Sequence, residues 1–416
     1  MTASQKNNIN VCIRNFACPT QGMLKNYHQY FQLNGYPVIP GYKNADLLFI
    51  ITCGVTTFND KFIIQYIKKF QKYLNHNAEV VIVGCLPRIN KDFFKNDLAG
   101  SIKITCLTSD DELDKMFMRK YSIAEIGYYK NFLDMYSPMI RKIKRYKLLM
   151  SYYFSLSSNI LVRIFGWIIF YGELLGKKLF NFNKIPLKTF MIHSHSGCNH
   201  KCSYCVTRLG VGKVQSVPVH KIVDSFAEGL RQGYEYFELA CDDLSQYGMD
   251  IGEKPINLLD KITDLPGNFK IYVRYIYPQW LINNFNDFLH ILRRGKIFRV
   301  GIPVQSGSAR IIKLMNRHYD PQNLKECLKV LRMDFPDLEI WTEFIVGFPG
   351  ETEKDFHESL DFIPYATITR SFSYCDHPKS LSVHFPNKIP SQVTKKRLHK
   401  MRRKIYFERF FKKLTE

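Results

Sequence analysis

The hydrophobic positions between residues 9 and 115 form short apolar runs, and segments with helical spacing separate these runs. The predicted strands are NVCIRNFAC, ADLLFIITC and AEVVIVGC, and the predicted helices are residues 21–33 and 59–74. Alternation of short buried strands with amphipathic helices is typical of a parallel sheet covered by helices. We therefore expect an α/β, Rossmann-like domain with a parallel sheet over residues 1–119.

A second alternation of strands and helices begins near residue 186. The predicted strands are KTFMIHS, YFELAC, KIYVRY, FRVGIPV and EIWTEFIVG, and the predicted helices are residues 219–232, 257–263, 281–293 and 323–333. This repetition predicts a partial (β/α)6 barrel over residues 186–390, followed by a basic helix at 391–416. In such barrels the residues at the carboxyl ends of the strands carry the chemistry.

The segment between the two domains, residues 120–185, has a different pattern. From Lys147 to Tyr171 its only interior charge is Arg163, and both flanks are basic, so contact with a membrane has to be considered. Ser and Asn interrupt the apolar run, and it contains no clean span of about 20 apolar residues. We expect a helical insertion or linker here and do not expect integral membrane insertion.

Net charge and cysteine usage narrow the class of protein. Lys and Arg outnumber Asp and Glu by 59 to 37, a formal charge of +22, which favours partners that carry phosphate or carboxylate groups. The 11 cysteines have spacings that suit metal binding better than a disulfide framework. The amino terminus lacks the basic-then-apolar pattern of a secretion signal. A reducing, cytoplasmic location is the expectation.

Three cysteines with the spacing CxxxCxxC follow the strand KTFMIHS: Cys198, Cys202 and Cys205. Three thiolates on one short loop can ligate three irons of a four-iron cluster and leave the fourth iron open. A zinc loop or three buried thiols are the alternatives. With Tyr204 before the last cysteine, the loop resembles that of the radical S-adenosylmethionine (SAM) superfamily, and this resemblance implies that SAM binds at the open iron.

Three further cysteines, Cys18, Cys53 and Cys85, each fall at the end of a predicted strand of the first domain. The carboxyl ends of parallel strands share one edge of a sheet, so these thiols can meet in space. Burial as small core residues is the alternative. The surrounding sequence resembles the amino-terminal domain of the methylthiotransferases, which implies that the three cysteines hold an auxiliary [4Fe-4S] cluster. Gln21 stands where this family usually has Asn.

The barrel sequence resembles the same family at CDDLSQYGMD, YVRYIYP, IPVQSGS and FIVGFPGETEKDF. SAM requires a carboxylate for its hydroxyl or ammonium groups, a cation or amide for its carboxylate and an apolar wall for adenine. The residues that this resemblance implies for cofactor binding are Tyr204, Asp242, Asp243, Arg274, Gln305, Ser306, Ile345 and Glu351. No catalytic residue is assigned.

The resemblance implies an enzyme that inserts a methylthio group into an unactivated C–H bond. One cluster passes an electron from an external donor into SAM to make a deoxyadenosyl radical, and the auxiliary cluster delivers sulfur. The segment CDDLSQYGMD resembles the family branch that modifies an aspartate of a ribosomal protein more closely than it resembles the tRNA-modifying branches. The expected substrate is therefore a peptide or small protein. The modified residue could be an aspartate of a ribosomally synthesised peptide.

Two alternatives remain open at the level of sequence. One is a tRNA adenosine as substrate, which the net charge of +22 favours. The other is a radical SAM enzyme whose auxiliary cluster only transfers electrons. The family's small carboxyl-terminal β-barrel, the TRAM domain, is expected to be missing. Val211 and Val217 replace the arginines that usually follow the cluster loop, and both departures touch the region expected to face the substrate.

Overall fold

The first sheet of the protein is parallel, and three of its four strands match the predicted strands. The structure is a computed structural model and describes residues 9–16, 21–54, 57–70, 73–75, 77–92, 103–123 and 189–415. The strands are β1 (Val11–Asn15), β2 (Leu47–Thr52), β3 (Glu79–Gly84) and β4 (Lys103–Cys106), in the spatial order β1-β2-β3-β4. All three pairings are parallel. Every residue of β2 is buried, as its continuous apolar sequence predicts for a central strand.

Helices cover both faces of this sheet. They are α1 (Gln21–Leu33), α2 (Thr57–Phe70), the short α3 (Cys85–Ile89) and α4 (Asp110–Phe117). Aromatic side chains of α1 and α4 pack on one face of the sheet, and isoleucines of α2 pack on the other. The prediction of a Rossmann-like α/β domain is confirmed.

The second sheet contains six parallel strands and forms an open barrel. These strands are β5 (Thr189–His193), β8 (Tyr236–Ala240), β9 (Lys270–Val273), β10 (Ile297–Gly301), β11 (Glu339–Val346) and β12 (Ile368–Ser373). Their order in the sheet is β12-β11-β10-β9-β8-β5, so strands that follow one another along the chain in this set are also neighbours in the sheet. A small antiparallel pair, β6 (His195–Ser196) and β7 (Gln215–Ser216), follows β5. The predicted partial barrel is confirmed.

Most of the barrel helices pack their apolar faces on the outside of this sheet. They are α5 (Thr207–Val211), α6 (Val219–Arg231), α7 (Pro255–Asp264), α8 (Pro278–Asn283), α9 (Phe285–Arg293), α10 (Ala309–Leu314), α11 (Pro321–Asp334), α12 (Glu353–Leu360) and α13 (Ser391–Thr415). One large apolar core joins the helices to the strands. Helix α13 lies where the sequence predicted a basic terminal helix, residues 391–416.

One predicted helix, residues 281–293, is wrong in its bounds. The structure has α8 and α9 instead, with Asn284 between them at φ −118° and ψ 25°. The Asn284 side chain donates to the backbone oxygen of Trp280 at 2.8 Å, and its backbone N–H donates to the same oxygen. This local bonding competes with helix continuation, as Asn side chains commonly do.

The segment predicted as a helical insertion, residues 120–185, lies outside the described residues except for 120–123. Within the parts of the chain that the structure describes, no helix is long and apolar enough to cross a membrane.

Candidate metal centres

The CxxxCxxC loop begins where the chain leaves β6. Gly197 has φ +92°, and a Cβ atom there would lie 2.0 Å from the backbone oxygen of Lys213. Only glycine fits this close approach. The Gly197 N–H donates to Asp242 at 2.9 Å, and the Cys198 N–H donates to the Gly212 oxygen at 3.1 Å. The start of the loop is thus fixed between β7 and the end of β8.

The Gln246 side chain hydrogen-bonds the backbone of the loop and also contacts a thiol. Its Oε1 accepts from the Asn199 N–H at 2.6 Å, and its Nε2 lies 3.3 Å from the Cys198 Sγ. Burial raises the pKa of the Cys198 thiol to about 11, although the bonds from His200 and Gln246 oppose this shift. An amide N–H directed at sulfur stabilises a thiolate that is bound to metal.

Arg317 places a buried positive charge beside the same loop. It is 6% exposed, and its Nη1 lies 4.0 Å from the Cys202 Sγ and 3.3 Å from the Tyr204 hydroxyl. Within the described residues no carboxylate pairs with Arg317. A buried charge needs a countercharge, and thiolates that ligate a cluster would supply it. The loop therefore fits an anionic iron-sulfur cluster.

The three thiols of the loop lie close enough to influence one another. Burial raises the pKa of Cys202, and the Cys205 thiol raises it further, while Arg317 lowers it. Within the described part of the chain, no three His, Cys, Asp or Glu side chains form a site for a single metal ion. A four-iron cluster has a different iron for each thiolate, so its ligands need not converge on one point.

The two adjacent aspartates after β8 have different surroundings. Asp243 accepts from His200 at 2.6 Å, from Ser245 Oγ at 2.7 Å and from the Tyr277 N–H at 3.1 Å. Burial acts to raise the pKa of Asp243, but the bonds from His200 and Ser245 outweigh it, so the pKa is lowered. Burial raises the pKa of Asp242. Protein donors already occupy Asp243, whereas Asp242 has one backbone donor at Gly197.

Charged side chains line the interior of the barrel below the loop. Arg274, directly after β9, lies 3.7 Å from Glu238 of β8, and Glu343 of β11 is near both Arg274 and Arg370. Burial raises the pKa of Glu343. Arg370 on the edge strand β12 lies over the Trp341 ring, 4.8 Å from its centroid. Ile345 is partly buried two residues after Glu343 on the same strand.

Three predicted cofactor contacts have clear structural partners. Gln305 has φ +66°, and its backbone N–H donates to the backbone oxygen of Glu343 at 2.7 Å. Ser306 is fully buried and accepts from the Ser308 N–H at 3.2 Å. Glu351 accepts from the Gly347 N–H and from Arg397 of α13, each at 2.9 Å. All of these partners are groups of the protein itself. The contacts of Gln305, Ser306 and Glu351 with SAM remain predictions.

Two of the three predicted auxiliary ligands lie side by side. Thr52 of β2 pairs with Gly84 of β3, so Cys53 and Cys85 follow neighbouring strand ends. A Cβ atom on Gly54 would lie 2.9 Å from the Leu86 Cα, so the segments that carry the two thiols touch. Cys18 lies outside the described residues.

Helix α3, at the edge of the first sheet, packs on helix α5, which follows the cluster loop. Helix α3, which begins at Cys85, contacts α5, which begins two residues after Cys205. A Cβ atom on Gly210 of α5 would lie 2.7 Å from the Cys85 Cβ and 3.1 Å from its Sγ. The structure therefore brings Cys53 and Cys85 to the side of the barrel that carries Cys198, Cys202 and Cys205.

Sequence reasoning missed the residues that join the two sites. Arg88 donates to the Gly210 oxygen at 3.4 Å, and the His377 imidazole lies near the backbone of Gly54. Arg317 was missed as well. Arg317 is separated from Cys202 by 115 residues, so no local pattern signals their contact.

We expect the Glu351→Gln variant to lose about 3 kcal/mol of unfolding free energy, because it breaks a buried ion pair and leaves Arg397 with less compensation. The Glu351–Arg397 side chains are 1% and 8% exposed. Chemical denaturation measures the loss. As a control, Glu353→Gln removes a 62%-exposed partner of Arg397 and should cost under about 1 kcal/mol. Equal losses in the two variants would contradict the structural role of Glu351.

We expect Gly210→Ala to disturb the packing of the two cysteine sites on each other and so to reduce sulfur transfer. In a free helix this change is stabilising by about 1 kcal/mol, but here the methyl group would collide with Cys85. The variant should still cleave SAM with a chemical reductant and should lose most of its sulfur-transfer product. Leu209→Ala, at the exposed neighbour, is the control. Wild-type product yield in Gly210→Ala would refute the importance of this contact.

Comparison with known proteins agrees with this geometry. Residues 192–363 match the family model described as "Radical SAM superfamily", and residues 11–102 match "Uncharacterized protein family UPF0004". The structure of the radical S-adenosylmethionine methyltransferase TsrM from Kitasatospora setae is similar, with a TM-score of 0.56 at 13% identity over 90% of this chain and 77% of that chain. The fold and the cysteine loop define a radical SAM enzyme.

Curated relatives narrow the class. The chain is 23% identical over 385 residues to a probable threonylcarbamoyladenosine tRNA methylthiotransferase of Pyrococcus horikoshii, covering 90% of this chain and 79% of the relative. It is 34% identical over 206 residues to the ribosomal protein uS12 methylthiotransferase RimO of Thermosipho africanus, covering 49% of this chain and 48% of the relative. The chain belongs to the radical SAM methylthiotransferase family. Its cofactors are SAM and two [4Fe-4S] clusters, one of the radical SAM type and one auxiliary.

Proposed function

We propose that this enzyme inserts a methylthio group into an unactivated C–H bond of a peptide or protein. The observation that carries the proposal is the packing of α3, with Cys85, on α5, next to the CxxxCxxC loop. Radical formation and sulfur delivery must act on the same carbon atom, so the two cysteine groups have to face one cavity. The contact at Gly210 supports this arrangement.

The ligand assignments are part of this proposal. Cys198, Cys202 and Cys205 hold the radical SAM cluster, with Gln246 and Arg317 stabilising their thiolates. Cys53 and Cys85, together with Cys18, hold the auxiliary cluster. When bound, the two clusters supply the radical chemistry and the sulfur, and the chain supplies binding and orientation. Asp242 and Arg274 lie at strand ends on the loop side of the barrel and contribute the polar contacts to SAM.

A peptide or protein substrate is favoured by the segment CDDLSQYGMD and by the similarity to the RimO relative across 49% of this chain. The interior guanidinium of Arg370 suits an acidic side chain such as an aspartate, because a guanidinium binds a carboxylate in a planar, bidentate manner. The modified residue in this proposal is an acidic side chain that enters the barrel.

A tRNA adenosine is the second candidate, and α13 is the observation that favours it. This helix exposes Lys395, Lys396, Lys400, Arg402 and Arg403, with Tyr406 and Phe407 more than half exposed beside them. Basic side chains interleaved with aromatic rings bind the phosphates and bases of nucleic acid. The Pyrococcus horikoshii relative carries a tRNA activity in its name.

The test incubates anaerobically reconstituted enzyme with SAM, a reductant and either an acidic peptide library or tRNA. Mass spectrometry then searches for replacement of one hydrogen by a methylthio group. Modified peptide is the expected result. Modification of RNA alone would replace the substrate proposal with the second candidate, and a radical product without sulfur would show that the auxiliary cluster only transfers electrons.

A further inference from the structure

The end of helix α10 is attached to the cluster loop on both sides of Cys202. The Ser203 hydroxyl donates to the backbone oxygen of Leu314 at 2.8 Å, and the Asn316 Nδ2 donates to the backbone oxygen of Lys201 at 2.7 Å. Lys201 and Ser203 are the two chain neighbours of Cys202. These bonds hold the residues that follow α10 close to the Cys202 thiol.

The chain turns back into the protein directly after α10. Asn316 has φ +54°, in the left-handed region that asparagine adopts more readily than most residues. The Asn316 N–H donates to the Lys313 oxygen and the Arg317 N–H donates to the Ile312 oxygen, each at 3.0 Å. This pair of bonds is the Schellman motif that ends many helices. The turn takes the next side chain, Arg317, out of the solvent, and Arg317 is 6% exposed.

Among the described residues, the bonding partners of the Arg317 guanidinium are neutral apart from the Cys202 thiol, whose Sγ lies 4.0 Å from Nη1. Nη2 donates to the Pro303 backbone oxygen at 2.9 Å, and the guanidinium carbon lies 4.6 Å from the centroid of the Tyr277 ring. The Nε atom is buried and has no hydrogen-bond partner in the part of the chain that the structure describes. Carbonyl and phenol groups carry no net charge at neutral pH, so they leave the positive charge uncompensated.

The other two buried arginines of the described residues have a different environment. Arg299 forms an ion pair with Glu339, and Arg397 forms one with Glu351. A buried charge is costly without a countercharge, and these two arginines have one in a glutamate. Arg317 has the cluster loop in that position instead. Its charge is therefore matched to the metal centre and not to a carboxylate of the fold.

The one-electron reduction of an iron-sulfur cluster adds a negative charge beside its thiolate ligands. Cys202 is 8% exposed, and burial disfavours this added charge because the surroundings screen it weakly. A buried cation acts in the opposite direction, since it attracts the reduced state more strongly than the oxidised state. The reduction potential of such a cluster depends on net charge, hydrogen bonds to sulfur and exposure to solvent. The guanidinium of Arg317 changes the first two of these.

We propose that Arg317 sets the reduction potential of the radical SAM cluster and raises it, so that the cluster accepts the electron that SAM cleavage consumes. The inference rests on the proposed role of Cys198, Cys202 and Cys205 as ligands of that cluster. In the reduction step one electron passes from the reductant to the cluster, and no bond forms or breaks. Arg317 acts on the reaction through the cluster and contacts no substrate in this role.

The test is a redox titration of the anaerobically reconstituted enzyme with dithionite, followed by electron paramagnetic resonance. The variant with Cys18, Cys53 and Cys85 replaced by alanine identifies the signal of the radical SAM cluster. Arg317→Met should lower the equilibrium constant for one-electron reduction at least about tenfold, which is a shift of about 59 mV to lower potential. Arg317→Lys keeps the positive charge and should retain most of the wild-type potential.

Lys313→Met is the matched control, because it removes one positive charge from an exposed position of α10. Water and salt screen that charge, so the equilibrium constant should change less than about twofold. Arg317→Gln is a second neutral variant that keeps an N–H group. It should also lower the potential, and it supplies the measurement if Arg317→Met does not assemble the cluster.

An unchanged potential in Arg317→Met would overturn the inference, and equal shifts in Arg317→Met and Arg317→Lys would do the same by assigning the effect to packing. An unchanged potential with weaker SAM binding would assign Arg317 to SAM and also overturn it. Loss of the cluster from both neutral variants but not from Arg317→Lys would assign the charge to cluster assembly, again overturning it. Absence of any signal from the variant that lacks Cys18, Cys53 and Cys85 would instead refute the ligand assignment on which the inference rests.

Discussion

Replacing Cys198, Cys202 and Cys205 together by alanine is expected to reduce SAM cleavage to the rate of a protein-free control. The three thiolates are the proposed ligands of the cluster that binds SAM, and without them no open iron is available. The buried guanidinium of Arg317 would also lose its countercharge, because its Nη1 lies 4.0 Å from the Cys202 Sγ. The measurement is anaerobic release of methionine and deoxyadenosine with dithionite as reductant.

The control for this variant is Cys327→Ala, which removes a buried thiol of α11 far from the loop in sequence. It should cleave SAM at a rate close to that of wild type. Circular dichroism before and after reconstitution establishes that the triple variant folds. Undiminished SAM cleavage in a folded triple variant would contradict the assignment of these cysteines.

Replacing Cys18, Cys53 and Cys85 by alanine is expected to abolish the methylthio product and to preserve SAM cleavage. The first sheet brings Cys53 and Cys85 to adjacent strand ends, and α3 packs on α5, the helix that follows the cluster loop. Loss of the sulfur-bearing cluster should leave the radical step intact, because the radical SAM ligands lie on a separate loop. Iron analysis should show about eight irons falling to about four.

Cys106→Ala is the matched control for this second variant. Cys106 ends β4 on the same edge of the first sheet, and burial raises the pKa of its thiol to about 11. It is not a proposed ligand, so iron content and product yield should remain close to wild type. An equal loss of product in Cys106→Ala would show that the sheet edge, rather than a specific set of three thiols, is required.

The parts of the fold that the sequence predicted are those with continuous apolar strands. β2 and β3 are buried almost throughout, and their apolar runs marked them clearly. β4 and β12 were missed, since β4 is only partly buried and β12 carries exposed residues such as Arg370. The helices α4, α10 and α12 are six to eight residues long, too short for periodicity to identify them.

In the candidate site, too, the sequence predicted local features and missed contacts between distant residues. The cysteines were identified because ligand spacing on a loop is a local feature of sequence. The groups that stabilise them are not local: Gln246 is 48 residues from Cys198, and Arg317 is 115 residues from Cys202. Glu351 was predicted as a cofactor contact from its motif, whereas its buried ion pair with Arg397 became visible only in the fold. Sequence marks the ligands, and tertiary packing determines what surrounds them.

Electron paramagnetic resonance of the dithionite-reduced enzyme tests most directly whether two metal centres face one cavity. Two clusters held across the contact of α3 and α5 should show magnetic coupling, so the wild-type spectrum should differ from the sum of the spectra of the two triple-cysteine variants. Gly210→Ala, which collides with Cys85, should weaken the coupling. A wild-type spectrum equal to that sum would place the clusters far apart and contradict sulfur insertion by this enzyme.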